Sequence, residues 1–297
     1  MKLLVTGICG RLGRALAVEG IAQGHSVVGM DLVPWPQVKT PVPKGLEFVT
    51  GTYEDFPLME KLLPGCHALI HTAGPHGSFV KKFTLAQFLH SNVESVGQVL
   101  EIAVKSGVRN VVLSSTMEVL IGRTWETSGI AFVDEDCPPR CDSAYSISRL
   151  LVEQLGREFS YLRKINIASL RYVAFGYGAD RDLGPGLLAR SLAPRDVARA
   201  CLAAAAKDSL RGDVFHIGPQ SPLTNTDIVA AMKDPAAVLE KYYPGAMNVL
   251  NANHCELSSD HFWPATSIRK AKLMLGWEPE YTFEKWLEEH GWKPKQN

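Results

Sequence analysis

The stretch KLLVTGICGRLG at 2–13 constrains the fold of this chain more than any other. Leu3, Leu4, Val5 and Thr6 read as a short buried strand. Gly7, Gly10 and Gly13 follow at three-residue spacing, and Leu12, Ala15, Leu16 and Ala17 then begin a helical period. Strand, glycine turn and helix form the first unit of a dinucleotide-binding sheet. One glycine permits the tight turn, one lets the backbone approach a pyrophosphate, and one lets the helix pack close to the strand. The helix N-terminus offers unpaired N–H groups and a partial positive charge to phosphate. A bare triple-glycine pattern also fits an ordinary surface turn, so the context decides. A second apolar run, Val27, Val28, Gly29 and Met30, ends in Asp31, 18 residues after Gly13, where the ribose hydroxyls of an adenosine should lie. A carboxylate there repels a 2′-phosphate and favours NAD over NADP, with Arg11 and Arg14 near enough to blunt the repulsion.

The rest of the chain alternates strands and helices. After Asp31, Pro34-Trp35-Pro36 and prolines 41 and 43 predict an exposed loop. Residues 46–50 form a third strand, 55–63 a short helix closed by Pro64-Gly65, and 67–71 a fourth strand followed by Thr72-Ala73-Gly74. Residues 84–105 carry helical periodicity interrupted by Gly97 and feed a fifth strand at 110–115. A proline-rich loop at 122–142 precedes a helix at 143–162, a sixth strand at 165–170, an alanine-rich helix at 196–206 and a seventh strand at 214–217. Alternation at this spacing means an α/β fold, a Rossmann-type doubly wound parallel sheet whose ligands sit at the carboxyl ends of the strands. From Pro219 the pattern loosens into short proline-punctuated pieces. The expected organisation is a dinucleotide-binding domain over 1–175, completed by 194–218, and a smaller C-terminal substrate-binding lobe over 219–297 with 176–193, covering the strand ends.

Composition narrows the partners. The 297 residues carry 31 basic and 31 acidic side chains, so nothing points to nucleic acid or an anionic membrane. No apolar run approaches the roughly 20 residues that span a bilayer. The chain enters its first strand at once, with no signal peptide ahead of it, and its cysteines at 9, 66, 137, 141, 201 and 255 make no disulfide framework, so a cytoplasmic protein is expected. Cys137 and Cys141 are close, but Pro138 and Pro139 lie between them and no second ligand pair follows, so no metal is expected.

Candidate chemistry lies at the strand ends. Ser114, Ser115 and Thr116 end the fifth strand; Tyr145 opens a helix, with Arg149 one turn later on the same face. A hydroxyl, a phenol and a fixed cation beside a dinucleotide make a proton-transfer site. A neighbouring positive charge should lower the phenol from its ordinary value near 10. Arg149 has an alternative partner on its own helix, Glu153 at i+4.

Several further motifs stand in a fixed order: HTAG at 71–74, Asn92-Val93, LSST at 113–116, YSISR at 145–149, Arg171, RDVARA at 195–200 and LGWEP at 275–279. With the glycine stretch they resemble the extended short-chain dehydrogenase/reductases, the NAD-dependent epimerase/dehydratase group, over nearly the whole chain. The resemblance implies an enzyme with NAD as cofactor, Thr116 in the hydroxyl role, Tyr145 as acid/base and Asn92 as the supporting helix asparagine. Cofactor contacts are expected from Gly7, Cys9, Gly10, Arg11, Leu12, Gly13 and Asp31. Further contacts are expected from Thr52, Tyr53, His71, Thr72 and Ala73, and from Asn92, Ser114, Tyr145, Arg149 and Tyr172. The family also implies a homodimer through the helices at 84–105 and 143–162, whose Leu85, Phe88, Leu89, Leu151, Val152 and Leu155 are apolar; these side chains equally suit the face toward the sheet.

Two departures matter. Position 149 is Arg where the family has Lys, and arginine is longer, planar and does not titrate. Arg171 and Arg195 are only 24 residues apart, too short for the nucleotide-gripping insertion usual in members that act on nucleotide sugars. The resemblance therefore leans to members that oxidise small sugars or sugar acids, such as uronate dehydrogenases. His71, His76 and Lys81 are candidates for the pocket, and His261, Phe262 and Trp263 for a ring-stacking wall. An epimerase or dehydratase with tightly held NAD, and a dinucleotide-binding protein without turnover, are the alternatives.

Overall fold

The computed structural model describes residues 1–35, 41–120, 132–176, 180–262 and 265–294. In chain order, β1 (Lys2–Thr6) passes through the glycine turn into α1 (Arg11–Ala22). β2 (Ser26–Asp31), β3 (Leu46–Thr50), α2 (Phe56–Leu62), β4 (Ala68–His71), α3 (Leu85–Leu89), α4 (Ser95–Lys105) and β5 (Asn110–Thr116) follow. Then come β6 (Phe132–Val133), α5 (Ala144–Arg163), β7 (Asn166–Tyr172), β8 (Ala174–Phe175), β9 (Ser191–Leu192), β10 (Asp213–Ile217) and β11 (Ala265–Thr266). The central parallel sheet has seven strands in the order β10-β7-β5-β4-β1-β2-β3. Leu3, Leu4 and Val5 are at most 1% exposed, as a strand covered on both faces requires.

The strand order decides where a ligand goes. The chain lays β2 and β3 on one side of β1 and then crosses to set β4 on the other. Thr6 at the end of β1 stands in register with Met30 of β2 and His71 of β4. The crevice between diverging crossovers opens at the carboxyl ends of β1 and β4.

Local sequence explains the elements around that crevice. The Asp55 side chain caps α2 by accepting from the Leu58 N–H. Ser143 and Ser146 form a reciprocal cap that fixes the start of α5 just before Tyr145. By contrast α1 starts at Gly10 with no side-chain cap and no acidic residue in its first turn, so its terminal N–H groups keep their capacity for an external anion.

Four details differ from the sequence reading. The 84–105 segment is broken at Asn92, by a π turn over His90–Glu94 between α3 and α4; Gly97 lies inside α4 without interrupting it. Such single π turns rotate one side chain out of the helical register. β7 runs on through Arg171 and Tyr172, so Arg171 is a strand residue rather than one that follows the strand. Trp35 is 2% exposed and packs edge-on against Phe48, so this part of the predicted exposed loop is buried, because an indole gains more from burial than the prolines gain from solvent. Pro36, residues 122–131 of the predicted 122–142 loop and Trp263 lie outside the described residues.

The chain divides into two compact units. The first comprises Met1–Gly122, Pro139–Arg171 and Ala198–Phe215; its core joins Leu4, Met30, Leu69, Val99, Leu113 and Ile167 from sheet and helices. The second comprises Arg123–Pro138, Tyr172–Val197 and His216–Asn297, with a core around Leu188, Phe262, Phe283 and Trp286 and two short parallel strand pairs, β6 with β11 and β8 with β9. Within it the RDVARA and LGWEP segments meet. The Asp196 carboxylate accepts from the Glu280 and Tyr281 N–H groups at 2.9 Å each, and the Trp277 indole N–H donates to the Asp196 carbonyl at 2.9 Å. Among the described residues no helix is long and apolar enough to cross a membrane, and all six cysteines are free.

Candidate active site

The glycine turn is shaped by contact. The Gly7 and Ile8 N–H groups both donate to the Met30 carbonyl, at 2.8 and 3.2 Å, which bends the chain back over β2 with Gly7 at φ +75°. A Cβ on Gly7 would lie 2.9 Å from the Ala73 nitrogen and from Thr72 Oγ1, and one on Gly13 would overlap the Gly7 carbonyl oxygen. The loop therefore lies directly against the β4 turn, and α1 directly against the loop. Asp31 is oriented by the backbone: its two oxygens accept from Cys9 N–H (2.9 Å) and Val33 N–H (3.0 Å), leaving further lone pairs for a diol. Arg14 donates to the Cys9 carbonyl at 2.5 Å. Burial, reinforced by the Asp31 charge, pushes the Cys9 thiol up to about 11, and the thiol donates to the Val33 carbonyl. Leu12 is buried in α1, Arg11 is exposed, and Thr52 accepts from the Glu54 N–H in the turn before α2.

At the end of β4, His71 is 2% exposed, 2.8 Å from Thr6 Oγ1 and edge-on to the Tyr53 ring at 4.8 Å. Burial, with the nearby Arg149 charge, pushes the imidazole down to about 3, so it is neutral across the working range of pH. Burial pushes the Tyr53 phenol up to about 12, and this group donates to the Ser91 carbonyl as a neutral hydroxyl. The π turn aims Asn92 inward: its amide donates to the Pro75 carbonyl (3.1 Å) and to Ser148 Oγ (3.0 Å).

Tyr145 and Arg149 lie together at 8% and 3% exposure, with the guanidinium carbon 5.4 Å from the centre of the phenol ring. Arg149 donates to the Ser114 carbonyl (3.2 Å) and the Pro75 carbonyl (3.4 Å), and no carboxylate pairs with it among the described residues. The Tyr145 phenol also interacts with the Thr116 hydroxyl, and Thr116 accepts from the Glu118 N–H at 3.2 Å. The expected lowering of the phenol is not what results. Burial raises the Tyr145 pKa and outweighs the opposing Arg149 charge. The alternative pairing of Arg149 with Glu153 is also absent, because Glu153 is taken by Arg171.

The residues fit a bound dinucleotide on two observations. The first is the side-chain-free cradle at Gly7, Gly10 and Gly13. The second is that His71 Nε2, Asn92 Oδ1, Ser114 Oγ and Arg149 Nε are buried without a hydrogen-bond partner. Orphaned polar atoms are rare in folded proteins and costly, and His71 and Ser114 lie at the carboxyl ends of β4 and β5, where a polar ligand is expected. Tyr172 and Phe262 belong to the second unit, where Tyr172 meets Phe175 edge-on and Phe262 is fully buried in the core. His76 is exposed and caps the one-turn helix Gly77–Phe79. His261 caps a turn at Ser258, and Lys81 is exposed.

The sequence model of the NAD dependent epimerase/dehydratase family matches residues 3–193. The chain belongs to that family. It is accordingly an enzyme whose cofactor is NAD. Another similar protein is the UDP-glucose 4-epimerase of Corynebacterium glutamicum, 24% identical over 98% of this chain and 95% of that protein. Among solved structures, a mutated uronate dehydrogenase superposes with a TM-score of 0.68 at 21% identity, covering 100% of this chain and 87% of the other. A short-chain dehydrogenase/reductase superfamily protein of Agrobacterium tumefaciens with bound NAD superposes with a TM-score of 0.69 at 22% identity, covering 98% and 96%. These structures share the epimerase/dehydratase fold.

Two features escaped the sequence. Glu118 presents its carboxylate 3.2 Å from where a Gly77 Cβ would lie, with the Tyr145 ring 3.7 Å from that same point; burial and the Asp142 charge raise its pKa. It sits on the short turn Met117–Leu120, whose geometry no periodicity announces. The second is the buried Glu153–Arg171 pair, for which the only sequence signal was a carboxylate one helical turn beyond Arg149.

Proposed function

We propose that this enzyme transfers hydride between NAD and a small sugar, sugar acid or similar polar alcohol, with Thr116, Tyr145 and Arg149 at the reacting centre. The observation that carries the reading is Tyr145 buried with the Arg149 guanidinium 5.4 Å from its ring centre, at the end of the strand that carries Thr116 and beside buried polar atoms that lack partners. NAD, when bound, supplies the acceptor for the hydride that leaves the carbinol carbon. Thr116 holds the substrate oxygen, and Tyr145 takes the hydroxyl proton as the carbonyl forms. Arg149 stabilises the phenolate that receives this proton; in the reverse direction the neutral phenol gives it back. Asn92 and Ser148 brace the Pro75 carbonyl to which Arg149 is tied. A small substrate follows from the short segment between Arg171 and Arg195. An epimerase or dehydratase is the second reading. It is favoured by the Corynebacterium relative and by Glu118, a further carboxyl able to move a proton beside Tyr145.

Absorbance of NADH in purified protein supplied with NAD and a panel of sugars and sugar acids tests this. Net NADH formation on one of them is expected. Conversion of a sugar nucleotide without net NADH supports the second reading, and no conversion of any compound rejects both.

The same reading includes a homodimer. Leu85, Ile147 and Leu151 are 43%, 38% and 41% exposed on α3 and α5, whereas Val152 packs in the first unit's core and Phe88 is buried against Phe83 and Tyr145. An apolar face of this kind is stabilised by a second copy. Light scattering should give about twice the chain mass of 32.6 kDa; the monomer mass would reject the dimer.

A further inference from the structure

One turn below Arg149, a charge pair is buried almost completely. Glu153 is 3% and Arg171 4% exposed. Arg171 Nε donates to Glu153 Oε1 at 2.8 Å and its Nη2 to Oε2 at 2.7 Å, while Ser115 Oγ donates to Oε1 at 2.5 Å. Both carboxylate oxygens are therefore engaged. Three elements meet at this point: α5 through Glu153, β5 through Ser115 and β7 through Arg171. Arg149 and Glu153 stand at i and i+4 of one helix, the spacing at which arginine and carboxylate ordinarily pair. They do not pair, and the guanidinium of Arg149 is held by two main-chain carbonyls instead.

We infer that Arg171 and Ser115 hold the Glu153 carboxylate away from Arg149, so that the charge of Arg149 is left to Tyr145. Arg171 and Ser115 are thereby positioning residues. Their significance for turnover rests on the role proposed for Tyr145, but the electrostatic effect does not. A buried carboxylate deprived of its partner is drawn to any other cation in reach, and Arg149 is one turn away. The groups facing Tyr145 are Arg149 on its own helix, Thr116 of β5, Glu118 of the following turn and Phe88 of α3; Asp142 faces Glu118 in turn. His71 and His76 also feel Arg149. Cys141 is the titratable neighbour of Glu153 and Arg171 from the segment before α5. Among the described residues, none of the other groups facing Tyr145 supplies a cation to replace Arg149.

The test is the titration of the Tyr145 phenol in the NAD-saturated protein. It is followed by nuclear magnetic resonance of isotope-labelled tyrosine, with the signal assigned by its loss in Tyr145→Phe. Arg171→Met should raise the Tyr145 pKa by about one pH unit, a tenfold change in acidity. Arg171→Lys, which keeps the charge but cannot engage both oxygens at once, should raise it by a smaller amount and decides the matter if the methionine variant does not fold. The double variant Glu153→Gln with Arg171→Met removes the competing carboxylate and should titrate as the unaltered protein does. An unchanged titration in folded single variants would overturn the inference. So would a double variant shifted as far as the single one, since loosened packing would then be the cause. The readout does not require turnover, so a failed substrate search leaves this result interpretable.

Discussion

Replacing Tyr145 by Phe should slow turnover by about a hundred- to ten-thousandfold, the range for loss of a general acid/base, while leaving NAD affinity and thermal stability nearly unchanged. The change removes one oxygen from a side chain that is 8% exposed, and the ring keeps its contact with Phe88. The pH dependence has a definite sign. In the oxidative direction the phenol must be deprotonated to accept a proton, so the rate should rise with pH up to the Tyr145 pKa. Burial sets that limb above the ordinary tyrosine value, and Arg149 opposes the rise. Arg149→Met should move the limb to higher pH. Arg149→Lys is the sharper variant. If only the charge matters, activity should persist with an altered pH optimum, because lysine titrates where arginine does not. If the planar fork on the Ser114 and Pro75 carbonyls matters, activity should fall even though the charge remains. Unchanged turnover in both Tyr145→Phe and Arg149→Lys would place the chemistry elsewhere in the crevice.

Gly13→Ala should abolish measurable NAD binding and destabilise the protein by about 1–3 kcal/mol, the usual cost of forcing a methyl into filled space. The added carbon would overlap the Gly7 carbonyl oxygen and approach Ile8 Cα to 2.5 Å, both of them backbone, so α1 must move off the glycine loop proposed to cradle the pyrophosphate. Gly97→Ala is the matched control. The nearest side-chain atom there, Leu155 Cδ2, is 3.8 Å away, and the residue lies within α4. That variant should bind NAD normally and gain up to about 1 kcal/mol from helix propensity. Calorimetric titration and a melting curve read both effects. In the same titrations NAD should bind more tightly than NADP, and Asp31→Ala should narrow the gap. Equal affinity in the unaltered protein would remove Asp31 from the ribose site.

The sheet was legible from local sequence alone. Seven strands, the glycine turn into α1 and the placement of Asp31 at the end of β2 follow from apolar runs and glycine spacing, because strand burial and tight turns are local demands. The sequence also put Thr116, Tyr145 and Arg149 into one candidate site through their spacing and order. What it could not supply were the interactions set by distance in space. The π turn at Asn92 has no signature distinct from helix, since it alters one hydrogen bond and leaves the periodicity nearly intact. Trp35 is buried by its approach to Phe48, a strand later in the chain. The direction of the Tyr145 shift depends on burial against Arg149, and burial exists only once α5 has packed on β5. The choice of Glu153 between Arg149 and Arg171 was undecidable from spacing. The helix offers Arg149 at i−4, but β7 brings Arg171 to both carboxylate oxygens at once, and two charge-assisted bonds in a buried setting outweigh one on a helix face.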